Sequence, residues 1–533
     1  MTYTRLNSSA ATLTKNRTED SISPLSGMCT TCIDGCVGMC EIGKSAYRGA
    51  EIIYPQPFGI ITTASQKDYP VDLGHFTILG TAAGAYGMKA DSDRALFPNV
   101  DLSVTFGGGV RCRLPIEIAA MGSTNVAKNN WPGLAAGAAI SGVPLWIGEN
   151  VCGMDMNAKF QDGKVISAPE LEWRIRCYRD WQTDGFGEVF VQANVEDTRL
   201  GVQEFAIKHL GVTAVELKWG QGAKDIGGEV KIGDLAKAQE LQKRGYVVLP
   251  NPEDPKIIEA FKRGSFHEFE RHSRVGMVTY EGFMKRVEEL RRAGAKYVTL
   301  KTGAYRPLDL ARAVKFASEA RLDLLTVDAA GGGTGMSPWR MMNEWGVPGV
   351  ELHSLLHEYL DQLHRAGEFV PDIAVAGGFT FEDQMFKGFA LAAPYVKMIA
   401  MARAPLAAAM VAKTIGRGIE DQSLPIYIQR YGLTRDEIFV TAPELRERLG
   451  DRFKDLPIGA IGVYTYFERL AQGLRQLMCG ARKFAIRYLD RNDIAALTPE
   501  ASRISGIPLV TDVDREECEE ILSGRELAAT VSD

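Results

Sequence analysis

Four cysteines fall within twelve positions, in the pattern Cys29-x2-Cys32-x3-Cys36-x3-Cys40. Thiolates are soft ligands that suit iron–sulfur clusters and zinc. Gly35 and Gly38 between them supply the tight turns that let one short loop wrap a cubane. The spacing is close to the bacterial ferredoxin run without matching it. Zinc usually draws on two separated pairs, and no second pair is visible in the sequence. The segment therefore reads first as a [4Fe–4S] site, with a [3Fe–4S] cluster, zinc or plain reduced thiols as alternatives. A remote cysteine, Cys112 or Cys152, could stand in for one of the four.

Lysines form a second group. Lys218 sits in AVELKWGQG (214–222), with Gln221 and Lys224 just beyond, and Lys301 sits in YVTLKTG (297–303). A lysine inside an apolar run is costly to bury unless it meets an anion. Glycines form a third: Gly332, Gly333 and Gly335 around Thr334 after Asp328, and the pair Gly377–Gly378. Taken singly, such a pair is commonly a turn. Together with Ala402-Arg403 they describe backbone N–H groups and a helix start able to cradle a phosphate.

These groups need elements to bring them together. Short apolar runs, each followed by an amphipathic stretch, cover 114–121, 143–150, 214–222, 246–252, 297–303, 324–333, 372–378 and 395–402. Runs apolar on both faces read as strands of a parallel sheet. Eight βα units over about 300 residues fit a (β/α)8 TIM barrel better than an open doubly wound sheet, for which no GxGxxG signature is present. Barrel active sites gather at the C-terminal strand ends, where the lysines and glycines fall. One further run, EVFVQANV (188–195), is extra to the eight. The expected organisation is a cysteine-bearing segment (1–109), a barrel (110–420) and a helical C-terminal extension (421–533). His353 and His357, four apart on a helix, lack an HExxH frame and read as helix packing.

The 533 residues are 45% hydrophobic and 24% charged, with net charge −6. Nothing in that balance favours nucleic acid or an anionic membrane. No apolar stretch approaches a spanning helix, and the polar N-terminus has no signal-peptide core. A cytoplasmic protein, and a homo-oligomer, is expected.

Several of these segments are similar to the FMN-binding synthase domain of glutamate synthase. ELKWGQGAKDIGG (216–228), GGTGMSPW (332–339), AMGSTN (120–125) and RAPLAAAM (403–410) occur in the family's order across residues 110–420. FERLAQGLRQLMCGA (467–481) resembles the tail of its short, single-domain members. The resemblance implies FMN and an iron–sulfur cluster, with electrons from a ferredoxin-like donor used to aminate 2-oxoglutarate. By the same likeness Gln221 and Lys224 would bind substrate carboxylates, Lys301 would lie by the flavin ring, and Lys218 would join them in the catalytic set. Ala120, Met121, Gly122, Ser123, Asp328, Gly332, Gly333, Thr334, Gly335, Gly377, Gly378, Ala402 and Arg403 would line the cofactor, with Gly332, Gly333, Gly377 and Gly378 serving its phosphate.

The chain also departs from that pattern. Residue 2 is Thr rather than Cys and no amidotransferase domain is present, so ammonia would come from solution or a partner glutaminase. The family's three cysteines after the last strand are absent, which would leave the N-terminal cysteines to hold the cluster. Ala330-Gly331 replaces a His-Asp pair, Phe379 replaces an arginine, and PNPEDP (250–255) replaces a histidine-rich loop. These changes surround the substrate. They keep open a reductase or dehydrogenase for another small oxo acid or amino acid, and a non-catalytic electron-transfer subunit. The retained lysines argue against the latter.

Overall fold

The computed structural model describes Ala46, Ser65, Lys67 and residues 69–222, 229–334 and 337–524. The four clustered cysteines, Lys224 and Gly335 lie outside the described residues.

Eight parallel strands close into a barrel: β1 (Ile116–Met121), β2 (Leu145–Ile147), β3 (Val189–Ala193), β4 (Ala214–Lys218), β5 (Tyr297–Thr302), β6 (Leu324–Asp328), β7 (Ile373–Ala376) and β8 (Val396–Met401). β8 returns to β1 through the register Ile399↔Ile116 and Met401↔Ile118. The expected (β/α)8 fold is therefore the observed one. One assignment needs correction. The third strand is the supposedly extra run at 188–195, and the run at 246–252 is not in the barrel. Val247 and Leu249 are 46% and 52% exposed, whereas Val248 between them is 3% exposed. That alternation belongs to a strand with one wet face. Val247–Leu249 pairs antiparallel with Phe269–His272, which also pairs with Glu229–Ile232. All five residues of β3 are buried, as a barrel strand requires.

The N-terminal end of the barrel is plugged by a hairpin, Val104–Phe106 against Val110–Cys112. Phe106 stacks over Trp146 of β2 and Phe190 of β3, with ring centroids 6.4 and 6.0 Å away; Trp146 and Phe190 lie 4.1 Å apart. Aromatic stacking seals this end, so chemistry is confined to the other.

Helix α1 (Asn125–Ser141) starts at Thr124, whose side chain accepts from the Ala127 N–H, and stops at Gly142 with φ +66°. α2 (Gly349–Arg365) and α3 (Arg403–Glu420) follow β6 and β8. The long helix α4 (Ile458–Gly480) packs on α1 and α3. The approach is close enough that a Cβ on Gly133 would lie 2.7 Å from Gly459 Cα. Beyond α4, Ile494–Ala496 pairs antiparallel with Phe76–Ile78, joining the two ends of the described chain. Among the described residues no helix is long and apolar enough to cross a membrane.

Candidate active site

Above the aromatic floor the barrel interior is polar. Glu117 of β1, Gln192 of β3, Glu216 of β4, Thr299 of β5 and Thr326 of β6 are all buried. Gln192 Nε2 donates to Glu216 Oε1 at 2.6 Å, Thr299 Oγ1 to Glu216 Oε2 at 3.2 Å, and Thr326 Oγ1 to Glu117 Oε2 at 3.3 Å. Burial raises the pKa of both carboxyls and their mutual repulsion raises Glu117 further, while Lys301 opposes the rise.

Lys301 closes this interior from above. Its Nζ lies 3.1 Å from Asp328 Oδ2. Burial alone lowers a lysine pKa, but Asp328, Glu216 and Glu117 outweigh it, so the pKa is raised and the ammonium keeps its charge. One strand over, Lys218 Nζ donates to Glu149 Oε1 and to Gln221 Oε1, each at 2.7 Å. The sequence reading found both lysines and missed the carboxyls that hold them. Glu117 in PIEIAAM and Glu216 in AVELKW carried the same signal, a charged residue inside an apolar run. Glu149 stands at the end of VPLWIGEN and could have been found the same way.

A cleft enclosing about 980 Å³, including the part open to solvent, lies over Lys301 and Asp328. Its rim collects the predicted residues strand by strand. Ala120, Met121 and Gly122 come from the end of β1, and Gly332, Gly333 and Thr334 from the end of β6. Gly377 and Gly378 follow β7, Ala402 and Arg403 follow β8, and Gln221 reaches in from β4. Two predicted residues stand apart. Lys218 lines an adjoining cavity, and Ser123 is not on the cleft wall; its hydroxyl is buried with no hydrogen-bond partner. Glu149 belongs to both cavities.

The glycines here have geometric reasons. Gly377 and Gly378 adopt φ +132° and +103°, backbone that other residues rarely tolerate. A Cβ on Gly122 would lie 2.4 Å from the Glu149 carbonyl oxygen. Beside them α3 begins at Ala402 with no side-chain cap on its N–H groups, and Arg403 is its first residue. Uncapped N–H groups, the positive end of a helix and a guanidinium are what a phosphate needs. Desolvation lowers the Arg403 pKa to about 10, still well above neutrality.

The departures noted in the sequence have clear structural roles. Phe379 is buried, and its ring lies 6.1 Å from that of His353 on α2, nearly parallel to it. Burial lowers His353 and His357 to about 4, so both are neutral packing residues. Among the described residues no three potential ligands cluster for a metal. Cys112 lies in the floor with Phe106 and Trp146, at the opposite end of the barrel from the cleft, and Cys152 is fully buried; desolvation raises both thiols.

The stretch that builds β5 to β8 also carries a family signature. Residues 272–412 match a conserved region in glutamate synthase. That region includes Lys301, Asp328, Gly332, Gly333, Gly377, Gly378 and Arg403, whereas Gly122, Glu149, Lys218 and Gln221 precede it. No protein of curated function matches the chain closely enough to count as a relative. Among solved structures, a double mutant of flavocytochrome b2 with pyruvate bound is 14% identical, aligned over 86% of this chain and 84% of its own, with a TM-score of 0.45. The recombinant flavin-binding domain of baker's yeast flavocytochrome b2 is 14% identical over 86% and 83%, TM-score 0.44. (S)-Mandelate dehydrogenase, a monotopic membrane protein, is 13% identical over 80% and 89%, TM-score 0.42.

Proposed function

We propose that the protein is an FMN-dependent oxidoreductase acting on a small carboxylate at the C-terminal mouth of its barrel. The observation that carries this reading is the two-ended cleft. One end has Gly377, Gly378, Arg403 and the uncapped start of α3; the other has the buried Lys301–Asp328 pair. The match of residues 272–412 to a conserved region in glutamate synthase supports the same choice of cofactor.

Bound FMN would supply reversible uptake and release of a hydride or of single electrons. The chain's own residues have separate tasks. Gly332, Gly333, Gly377 and Gly378 would let backbone approach the phosphate, and Arg403 would neutralise it. Lys301 would offer a fixed positive charge to the ring of a bound flavin, and the carboxyls beneath keep that ammonium protonated. Lys218, held by Glu149 and Gln221, orients a substrate carboxylate.

The finer reading is reductive amination of 2-oxoglutarate with electrons from a ferredoxin-like donor. Ammonia would come from solution or a partner glutaminase, and a [4Fe–4S] cluster would sit on Cys29, Cys32, Cys36 and Cys40. One observation favours a different carboxylate: Phe379 and Ala330-Gly331 put packing residues where the family has charged ones, and Phe379 is committed to His353. Anaerobic purification tests both. A yellow protein that reduced ferredoxin bleaches, and that 2-oxoglutarate with ammonium reoxidises while neither does alone, supports amination. Reoxidation by another oxo acid selects the second reading. Colourless protein that takes up no FMN overturns both, and a preparation without iron and acid-labile sulfide removes the cluster.

A further inference from the structure

The second cavity at the mouth differs in character from the cofactor cleft. Including the part open to solvent it encloses about 2040 Å³, against about 980 Å³ for the cleft, and it adjoins that cleft at Glu149. Its wall is aromatic. Trp219 meets Phe283 and Phe316 edge-on, with ring centroids 5.4 and 5.8 Å apart, and Tyr280 meets Phe316 at 5.3 Å. The Tyr305 hydroxyl fixes this wall by donating to the Trp219 carbonyl at 2.8 Å. On the rim, Met277 is 89% exposed and Val275 57% exposed, so apolar side chains face water at the entrance.

The bordering arginines are each answered locally. Arg274 pairs with Glu196 at 3.0 Å, Arg312 with Asp309 at 2.6 Å, and Arg286 with Glu204. Lys218 stands at the junction of the two cavities. Its ammonium has three N–H donors, of which Glu149 and Gln221 take two. A cavity with an aromatic wall and fixed polar groups on its border, at this face of a barrel, is the ordinary form of a small-molecule site.

We propose that this cavity receives the aromatic side chain of the substrate. The substrate class is then a 2-oxo acid, or its amino acid, bearing an aryl group, with its carboxylate on Lys218 and its C2 turned toward the cofactor cleft. This inference rests on the flavin reading of that cleft and adds the identity of the side chain. A second carboxylate in this position would face Trp219, Phe283 and Phe316, and among the described residues the bordering arginines already serve Glu196, Glu204 and Asp309, so its burial is unfavourable.

The test is a binding series on the purified full-length protein, read by isothermal calorimetry and by perturbation of the flavin spectrum. The probes are phenylpyruvate, pyruvate and 2-oxoglutarate. Phenylpyruvate is expected to bind about tenfold or more tighter than either of the others, the scale on which apolar pockets discriminate. Val195→Trp, which fills the cavity from a residue that does not line the cofactor cleft, should weaken phenylpyruvate by about tenfold and leave pyruvate and flavin content unchanged. Tightest binding by 2-oxoglutarate, or equal weakening of all three acids by Val195→Trp, overturns the proposal. A protein that takes up no flavin yet binds phenylpyruvate by calorimetry rejects the cofactor reading while supporting the cavity assignment.

Discussion

Lys301 Nζ and Asp328 Oδ2 face each other across 3.1 Å on adjacent strands of the barrel, both side chains almost wholly buried. Below them Glu117 and Glu216 both feel this ammonium, with Lys218 a lesser influence on Glu216. Lys301 thus compensates three carboxyls at once. Lys301→Met should cost about 3–5 kcal/mol of unfolding free energy, the usual penalty for leaving buried charge unpaired. Denaturant unfolding measures it. Adding Glu216→Gln should recover part of the loss, because one of the stranded carboxyls is then gone. A cost under about 1 kcal/mol, within the range of an ordinary surface pair, would show that Lys301 is not the counter-ion.

Stability should also fall with pH through Asp197. Burial raises its pKa from 3.8 to about 7, against the opposing hydrogen bond from the Asn150 N–H at 2.8 Å and with Glu149 adding to the rise. Between those two values the native protein keeps a proton that the unfolded chain has released. The native state binds more protons there, so stability declines as pH rises through the window. Asp197→Asn removes this slope. Relative to the parent, it should gain roughly 3–4 kcal/mol between pH 4 and pH 8. Parallel pH dependences of the two proteins would contradict the assignment.

His272 behaves in the opposite sense. Hydrogen bonds to Glu229 and Glu270 raise its pKa to about 9 from the ordinary 6.5. The stabilisation is complete below the unfolded value and disappears as pH rises through the folded one. An NMR titration should find the imidazole still protonated at pH 8. A midpoint near 6.5 would mean that the pairs with Glu229 and Glu270 do not form in solution.

The crossing of α1 and α4 depends on Gly133. A side chain there collides with Gly459 backbone, which has no rotamer by which to move aside. Gly133→Val should therefore lift α4 off the barrel, lowering the thermal midpoint and opening the segment before Ile458 to protease. Gly480→Ala serves as the control, since nothing lies within 4 Å of a Cβ at that position. Equal effects of the two substitutions would argue that helix propensity, not the crossing, sets the cost.

The barrel floor supplies a last test. Phe106 comes from outside the eight strands yet is wholly buried against Trp146 and Phe190. Phe106→Ala should cost about 3–5 kcal/mol, as for a large core truncation. Loss below about 1 kcal/mol would mean that the hairpin is an optional cover.

Much of this architecture was written in local residue patterns. Continuous apolar runs marked the parallel strands, and the residues ending them marked the cleft, because a strand end is adjacent in sequence to the mouth it forms. Lys301, Gly332 and Gly377 were legible for that reason. Three features were decided by tertiary structure. The choice of Val189–Ala193 over Val247–Leu249 as a barrel strand depended on whether both faces were buried, and residue type leaves that open when both runs are rich in valine. The pairing of Glu117 and Glu216 beneath Lys301 joins residues up to 184 positions apart (Glu117 to Lys301), and only barrel closure brings them to one axis. The aromatic cavity beside Lys218 is assembled from β4 and from helices that follow β4 and β5. No local period records such a gap, because a cavity is set by how elements pack and not by what any one of them contains.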